Sequence, residues 1–374
     1  MSNYNAGVYR EHFGYKSFLP SKINQPFTTT DKTISVLLEE ASLQFGQLEA
    51  FSQLVPDIDL FITMHIYKEA TLSSKIEGTQ TTMDEAVSPE ALILPEHRDD
   101  WAEIQNYTKA IHFAQTKLQE LPISIRLIKE IHAILLQGVR GEHKLPGEVR
   151  TSQNWIGGSN LKDAFFIPPH HEDLPELLSD LEKFWHNPNL DIPVLVKVAM
   201  FHYQFETIHP FCDGNGRIGR LLIPLMLISQ KILTKPSLYI SDFFEKHRGS
   251  YYDALTMVRS GNNMEQWIKF FLSGIIDTAK NGTKTLKEVV AYKEELDKKI
   301  IALGSRAKLA ERLFKEMLAT PVMNKNEIKD KLGISYGVAN RLVKDLLKAG
   351  ILINRDNSIR NQYYKLKGYL ELFK

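Results

Sequence analysis

Twelve residues, His209 to Arg220, read HPFCDGNGRIGR and crowd chemistry between two apolar runs. Gly214 and Gly216 admit backbone conformations that side chains forbid, so amide N–H groups can converge on an anion where the next helix begins. A helix N-terminus adds partial positive charge there. Arg217 and Arg220 stand three apart on that helix's first turn, on roughly one face, and both can fork onto phosphate oxygens. Asp213 can hold a Mg2+ that bridges phosphates, since this ion takes few carboxylates plus substrate oxygens. His209 is the one side chain here that exchanges a proton near neutral pH. Together they outline phosphoryl or nucleotidyl transfer to a hydroxyl, in which positioning and charge neutralisation dominate. Singly, each has an ordinary explanation as a cap, a turn or a solvated charge; packing alone does not require all of them in one loop.

The elements that must hold this loop are helices. Upstream VLVKVAMFHYQFETI and downstream IGRLLIPLMLISQKIL carry apolar residues at helical spacing. The same periodicity marks TISVLLEEASLQFGQLEAF, IDLFITMHIYKEATLSSKIEG, WAEIQNYTKAIHFAQTKLQEL, SIRLIKEIHAILLQGV, LPELLSDLEKFWHN, SYYDALTMVRSG and MEQWIKFFLSGIIDTAK. The first forty residues are polar and interrupted by Pro20 and Pro26, and helical periodicity begins only after them. VRTSQNWIGGSNLKDAFFIPP places short β-prone runs around Gly157 and Gly158 and predicts a hairpin. TKTLKEVVAYKEELDKKIIAL reads as a charged amphipathic connector to a C-terminal module.

Of the 374 residues, 43% are apolar and 24% charged, which suits a globular chain with a sizeable core and excludes disordered and fibrous classes. Cys212 is the single cysteine, so intrachain disulfides and cysteine-built zinc sites are excluded and a reducing compartment is expected. The start lacks an apolar leader, and no run approaches the ~18 residues of a membrane span. These features predict a cytoplasmic protein with no membrane partner. The net charge of +1 hides an asymmetry: residues 301–374 hold fifteen Lys and Arg against seven Asp and Glu, and the remainder is net −7.

The loop resembles the Fic family signature His-x-Phe-x-(Asp/Glu)-Gly-Asn-Gly-Arg-x-x-Arg, matching it at every fixed position. The resemblance implies transfer of AMP from ATP to a Ser, Thr or Tyr hydroxyl of a protein, the chain itself included, with pyrophosphate released. It makes His209 the base and Asp213 the Mg2+ ligand. Asn215 with the amides of Gly214 and Gly216 would cradle phosphates, Arg217 would contact the nucleotide phosphates and Arg220 the γ-phosphate; Phe211 would be a buried anchor. TLSSKIEG is similar to the family's inhibitory (Ser/Thr)-x-x-x-Glu-(Gly/Asn) motif, so Ser73 and Glu77 would occupy Arg220 and hold activity low. The hairpin would be the flap along which a target segment docks by β-augmentation, with Ile156 and Phe166 as flap positions.

Residues 305–374 look like a winged helix-turn-helix, with a turn at Gly333 and two β-like runs around NRDNSIRN. Arg341, Lys344 and Lys348 recur on one helix face, and Arg355 and Arg360 flank the wing tip, which suggests DNA contact. An alternative function follows: a DNA-binding transcriptional regulator whose Fic-like body senses or dimerises. The expected fold is mainly α, a Fic-type helical bundle with a small β-hairpin flap plus the C-terminal winged helix-turn-helix. Its parts would be an N-terminal extension (1–99), a catalytic domain (100–280), and a connector with the basic module (281–374). ATP and Mg2+ are the expected cofactors and a protein hydroxyl the acceptor; a homodimer, and DNA through 305–374, are further candidate partners.

Overall fold

The structure is a computed structural model that describes residues 4–55, 58–355 and 362–373. It is mainly helical. The chain opens with an antiparallel pair, β1 (Gly7–His12) and β2 (Tyr15–Pro20), in register from Gly7 opposite Pro20 to His12 opposite Tyr15. This pair lies where the sequence pattern gives no periodic signal, because Val8–Glu11 are all exposed and show no alternation of apolar and polar faces. β2 is the inner strand: Phe18 is buried, and its N–H donates to Ile167 O at 2.9 Å.

Helices α1 (Lys32–Leu54), α2 (Ile58–Ile76), α3 (Met83–Ala86), α4 (Arg98–Lys117), α5 (Ile125–Leu135) and α6 (Leu174–His186) follow. Then come α7 (Val194–Ile208), α8 (Asn215–Ser229), α9 (Ser241–Lys246), α10 (Arg248–Gly261) and α11 (Met264–Ile301). The central pair is α7 and α8. Both are buried almost all round, which is why their sequences read as apolar runs and not as stripes. Each fully buried Leu, Ile or Phe there contributes about 1.5–3 kcal/mol, so this pair forms the rigid floor of the loop between them. Trp267 of α11 is fully buried and locks onto α7 by donating its indole N–H to Ala199 O at 2.8 Å.

α11 runs unbroken through Asn281-Gly282, so the division at residue 280 falls inside one helix. Gly282 does not end it; it lets α1 approach, because a Cβ there would stand 3.2 Å from Leu48 Cδ1. Beyond α11 come α12 (Ala307–Ala319), β3 (Val322–Asn324), α13 (Lys325–Leu332), α14 (Tyr336–Lys348), β4 (Leu352–Asn354) and β5 (Tyr363–Leu366). The strands form an antiparallel sheet in the order β3-β5-β4. Strand β3 is additional to the two expected runs, being only three residues long. Gly333 closes α13 in the left-handed region at φ 64°. Arg360 lies outside the described residues.

This C-terminal module packs on α2 and reaches α3. Tyr369 meets Phe61 edge-on, Phe373 meets His65 with ring centroids 5.2 Å apart, and Lys365 Nζ sits 2.9 Å from Asp84 Oδ1. Among the described residues no helix is long and apolar enough to cross a membrane.

Candidate active site

Two left-handed residues shape the loop between α7 and α8. His209 caps α7 at φ 50° and Gly214 precedes α8 at φ 77°. A left-handed histidine costs of order 1–3 kcal/mol and persists only where its surroundings fix it. Here Arg150 and Asn154 do so: Arg150 Nε donates to His209 O at 3.0 Å and Asn154 Nδ2 to the same oxygen at 3.3 Å. Arg150 is 1% exposed and also donates to Ser152 O and Pro169 O. Burial pulls its ionisation down to about 10, which leaves it a cation at neutral pH.

His209 Nδ1 lies 3.3 Å from the Glu206 carbonyl, which can only accept, so Nδ1 carries the proton and Nε2 presents a bare lone pair. Burial holds this imidazole down at about 4, so it is neutral at physiological pH. That is the state a general base needs.

The remainder of the loop is pinned from within and from α5. Asn215 is buried, donates its side-chain amide to Phe211 O at 2.8 Å, and accepts from Phe211 N–H at 2.8 Å. The side chain thus closes the loop by bonding both ways to Phe211, and the backbone N–H of Asn215 lies at the start of α8, where an anion would sit. His132 accepts from Gly147 N–H at Nδ1 (2.8 Å), which places its own proton on Nε2, facing Asp213 O at 3.0 Å. Its ring stacks on buried Phe211 at 3.8 Å and 9°.

α8 begins with no side-chain cap, leaving the first amides after Gly214 without intrahelical partners. Asp213 stands beside them, its side chain 43% exposed, with Oδ1 accepting from Gly214 N–H at 2.6 Å. A single half-exposed carboxylate with one oxygen engaged suits Mg2+ that draws its other ligands from water and phosphate. Arg217 reaches Glu103 Oε2 at 3.0 Å and Asp213 Oδ1 at 3.5 Å, and its Nε is buried without a partner among the described residues. Glu103 also accepts from Arg140.

Arg220 is 1% exposed. It donates Nε to Ser73 Oγ at 2.9 Å and Nη2 to Ser73 O at 2.9 Å and Glu77 Oε1 at 2.7 Å. Burial alone would raise the Glu77 carboxyl, but Arg220 outweighs it and holds Glu77 below the usual range. The same pairing pushes Arg220 upward against burial. Gly216 is required by this pair: a Cβ there would lie 2.3 Å from Glu77 Oε1. Ser73, Glu77, His209, Asp213, Gly214, Asn215, Gly216, Arg217 and Arg220 therefore form one contiguous region.

The predicted hairpin reduces to a single bridge. Ile156 N–H donates to Phe166 O at 2.8 Å and Phe166 N–H to Ile156 O at 3.1 Å. The ladder stops because Gly157 and Gly158 turn left-handed (φ 68° and 70°) and Asp163 draws in the amides of Ser159 and Asn160. Phe166 is buried against Phe18, with Arg259 stacked over its ring at 3.8 Å, whereas neighbouring Phe165 is 68% exposed. Among residues the motif did not announce, Glu206 stands out: burial raises its carboxyl to about 7, one turn before His209.

Two family models match the chain: Fic/DOC family over residues 122–227 and Fic/DOC family N-terminal over residues 36–116. It is 34% identical over 141 residues to a protein adenylyltransferase Fic of Aedes aegypti, covering 37% of this chain and 25% of that one. With the namesake of Culex quinquefasciatus it shares 28% over 240 residues, covering 62% and 42%. The chain thus spans less than half the length of these curated relatives. The fold is shared with a Fic family protein from Desulfovibrio desulfuricans G20 (TM-score 0.58, 21% identity, 92% of this chain and 98% of that one). It is also shared with Fic-1 from C. elegans (TM-score 0.55, 20% identity, 69% and 74%). Motif loop, family models and fold agree, and the chain belongs to the Fic/DOC family.

Proposed function

We propose that the chain is a protein adenylyltransferase that moves AMP from ATP onto a Ser, Thr or Tyr hydroxyl of a protein, itself included. The observation that carries this reading is the neutral His209, its Nε2 bare, beside the uncapped start of α8 and two arginines. The hydroxyl oxygen attacks the α-phosphorus, its proton passes to His209 Nε2, and the bond to the β-phosphate oxygen breaks to release pyrophosphate. Backbone amides at the start of α8 and Arg217 hold the phosphates. Asp213 would hold Mg2+, which supplies charge neutralisation on those phosphates.

Glu77 keeps this machinery quiet, because it sits on Arg220 where the γ-phosphate needs a cation and adds a negative charge there. The flap around Ile156 and Phe166 would receive the target segment as an added strand. The test is intact-mass analysis of the chain after incubation with ATP and Mg2+. One or more AMP increments are expected in the wild type and none in His209→Ala; increments that persist in His209→Ala would overturn the assignment.

A second reading, a DNA-binding regulator, is favoured by the C-terminal module, where Arg341, Lys344 and Lys348 are all exposed along α14. Three helices and a three-stranded sheet there support a winged-helix description. DNA binding that weakens with salt and survives His209→Ala would support it.

A further inference from the structure

The stretch His170-His171-Glu172 takes no part in the site just described, yet it gathers metal-binding chemistry just before α6. Each of the three side chains offers one ligand atom, and these atoms all lie within 4.8 Å of one another. His170 Nδ1 is 3.5 Å from Glu172 Oε2. Two donors at about 2.0 Å from a tetrahedral Zn2+ stand roughly 3.3 Å apart, so this pair needs little adjustment. Among the described residues His171 Nδ1 is buried with no hydrogen-bond partner, an unsatisfied polar atom that a cation would satisfy. His170 is flanked by the ring of His12, stacked at 5.2 Å and 19°, which in turn stacks on Tyr15. His12 Nε2 is engaged by Ser17 Oγ, and the converging ligand atoms are those of His170, His171 and Glu172, so His12 walls the site.

We propose that His170, His171 and Glu172 form a zinc site that fastens the base of the flap. Two imidazoles and one carboxylate suit Zn2+, with water in the fourth position, whereas Mg2+ prefers oxygen donors throughout. The place gives the site its consequence. Along the preceding residues, Ile167 O accepts from Phe18, Pro168 O from Gln153 and Pro169 O from Arg150, whose Nε holds the His209 carbonyl. A metal at 170–172 would therefore stiffen the segment joining the β1–β2 hairpin, the flap and the left-handed His209.

The test is titration of the untagged 374-residue chain with Zn2+ alone, in competition with a chromophoric chelator. One equivalent is expected to bind the wild type, Asp213→Ala and His209→Ala alike. Affinity is expected to fall by more than about a hundredfold in His170→Ala and His171→Ala, since loss of an outer-shell partner alone costs 10–100-fold. His171→Gln, closer in size, repeats the measurement in case the alanine variants misfold, and Zn2+ should raise the Tm of the wild type, Asp213→Ala and His209→Ala but not of the His170 and His171 variants. No stoichiometric binding, equal binding in the His170→Ala/His171→Ala double variant, or binding lost in Asp213→Ala instead, would overturn the proposal.

Discussion

Replacing Glu77 with glycine should raise activity while lowering stability, and the opposite signs make the experiment informative. Arg220 loses one of three hydrogen bonds, the 2.7 Å contact to Glu77, and keeps both contacts to Ser73. A charge-assisted hydrogen bond contributes roughly 1.5–3 kcal/mol when buried. The Glu77 side chain is 39% exposed, so screening brings the competition down to about 1–2 kcal/mol. Every ~1.4 kcal/mol relieved is tenfold in the share of ATP bound productively, so AMP incorporation should rise by about 5–30-fold. Tm should fall by a few degrees, because the buried Arg220 is left with one uncompensated N–H. Incorporation of AMP into the chain, followed in the wild type, Glu77→Gly, Arg220→Ala and the double variant, reads both partners at once. The gain should vanish in the double variant. An unchanged or lower rate in a folded Glu77→Gly protein would refute the pairing as the source of inhibition.

Further consequences concern the supports of the site. His132→Phe keeps the stack on Phe211 but loses the contacts to Gly147 and Asp213; transfer should drop at least tenfold and stability by about 1–3 kcal/mol, checked by initial rates and denaturant unfolding. Acidification should destabilise the fold: burial holds His65, His132 and His209 at about 4 and His202 at about 3, against 6.5 for an unperturbed histidine. The unfolded chain then binds more protons, and stability falls as pH drops from about 6.5 to 4. Glu69 and Glu206, raised to about 7 by burial, act in the opposite direction, losing stability as pH rises from 4.5 to 7; Glu69→Gln should remove that share in Tm measured against pH. Deleting residues 302–374 strips Tyr369 and Phe373 from α2, the helix bearing Ser73, so a folded truncation should show a lower Tm and higher AMP transfer; unchanged transfer would mean α2 is held from the inner side alone.

The α7–loop–α8 unit was legible in the sequence because its chemistry is contiguous and its flanking helices are apolar all round. Its supports were not, since Glu103 meets Arg217 from 114 positions away, and His132 and Arg150 arrive from 81 and 59. One signal did exist: His132 occupies a core position of α5 between Ile131 and Leu135, where a polar ring needs partners. The loop-closing bonds of Asn215 to Phe211 were not legible either, because spacing does not show which backbone groups a side-chain amide meets. The β1–β2 hairpin left no periodic trace, being exposed on both faces of its outer strand. The flap failed as a ladder for a local reason: Gly158 folds so tightly that a Cβ would lie 2.4 Å from Asp163 O.

The central claim is the identity of the group transferred, and the position of a radiolabel in ATP tests it most directly. The Glu77→Gly protein is incubated with Mg2+ and ATP labelled at either the α- or the γ-phosphate, and protein-bound counts are measured with and without His209→Ala. The account predicts label from the α-position only, and none when His209 is absent. Counts from the γ-position would mean that phosphate itself is transferred, and α-label that survives His209→Ala would contradict the role given to the imidazole.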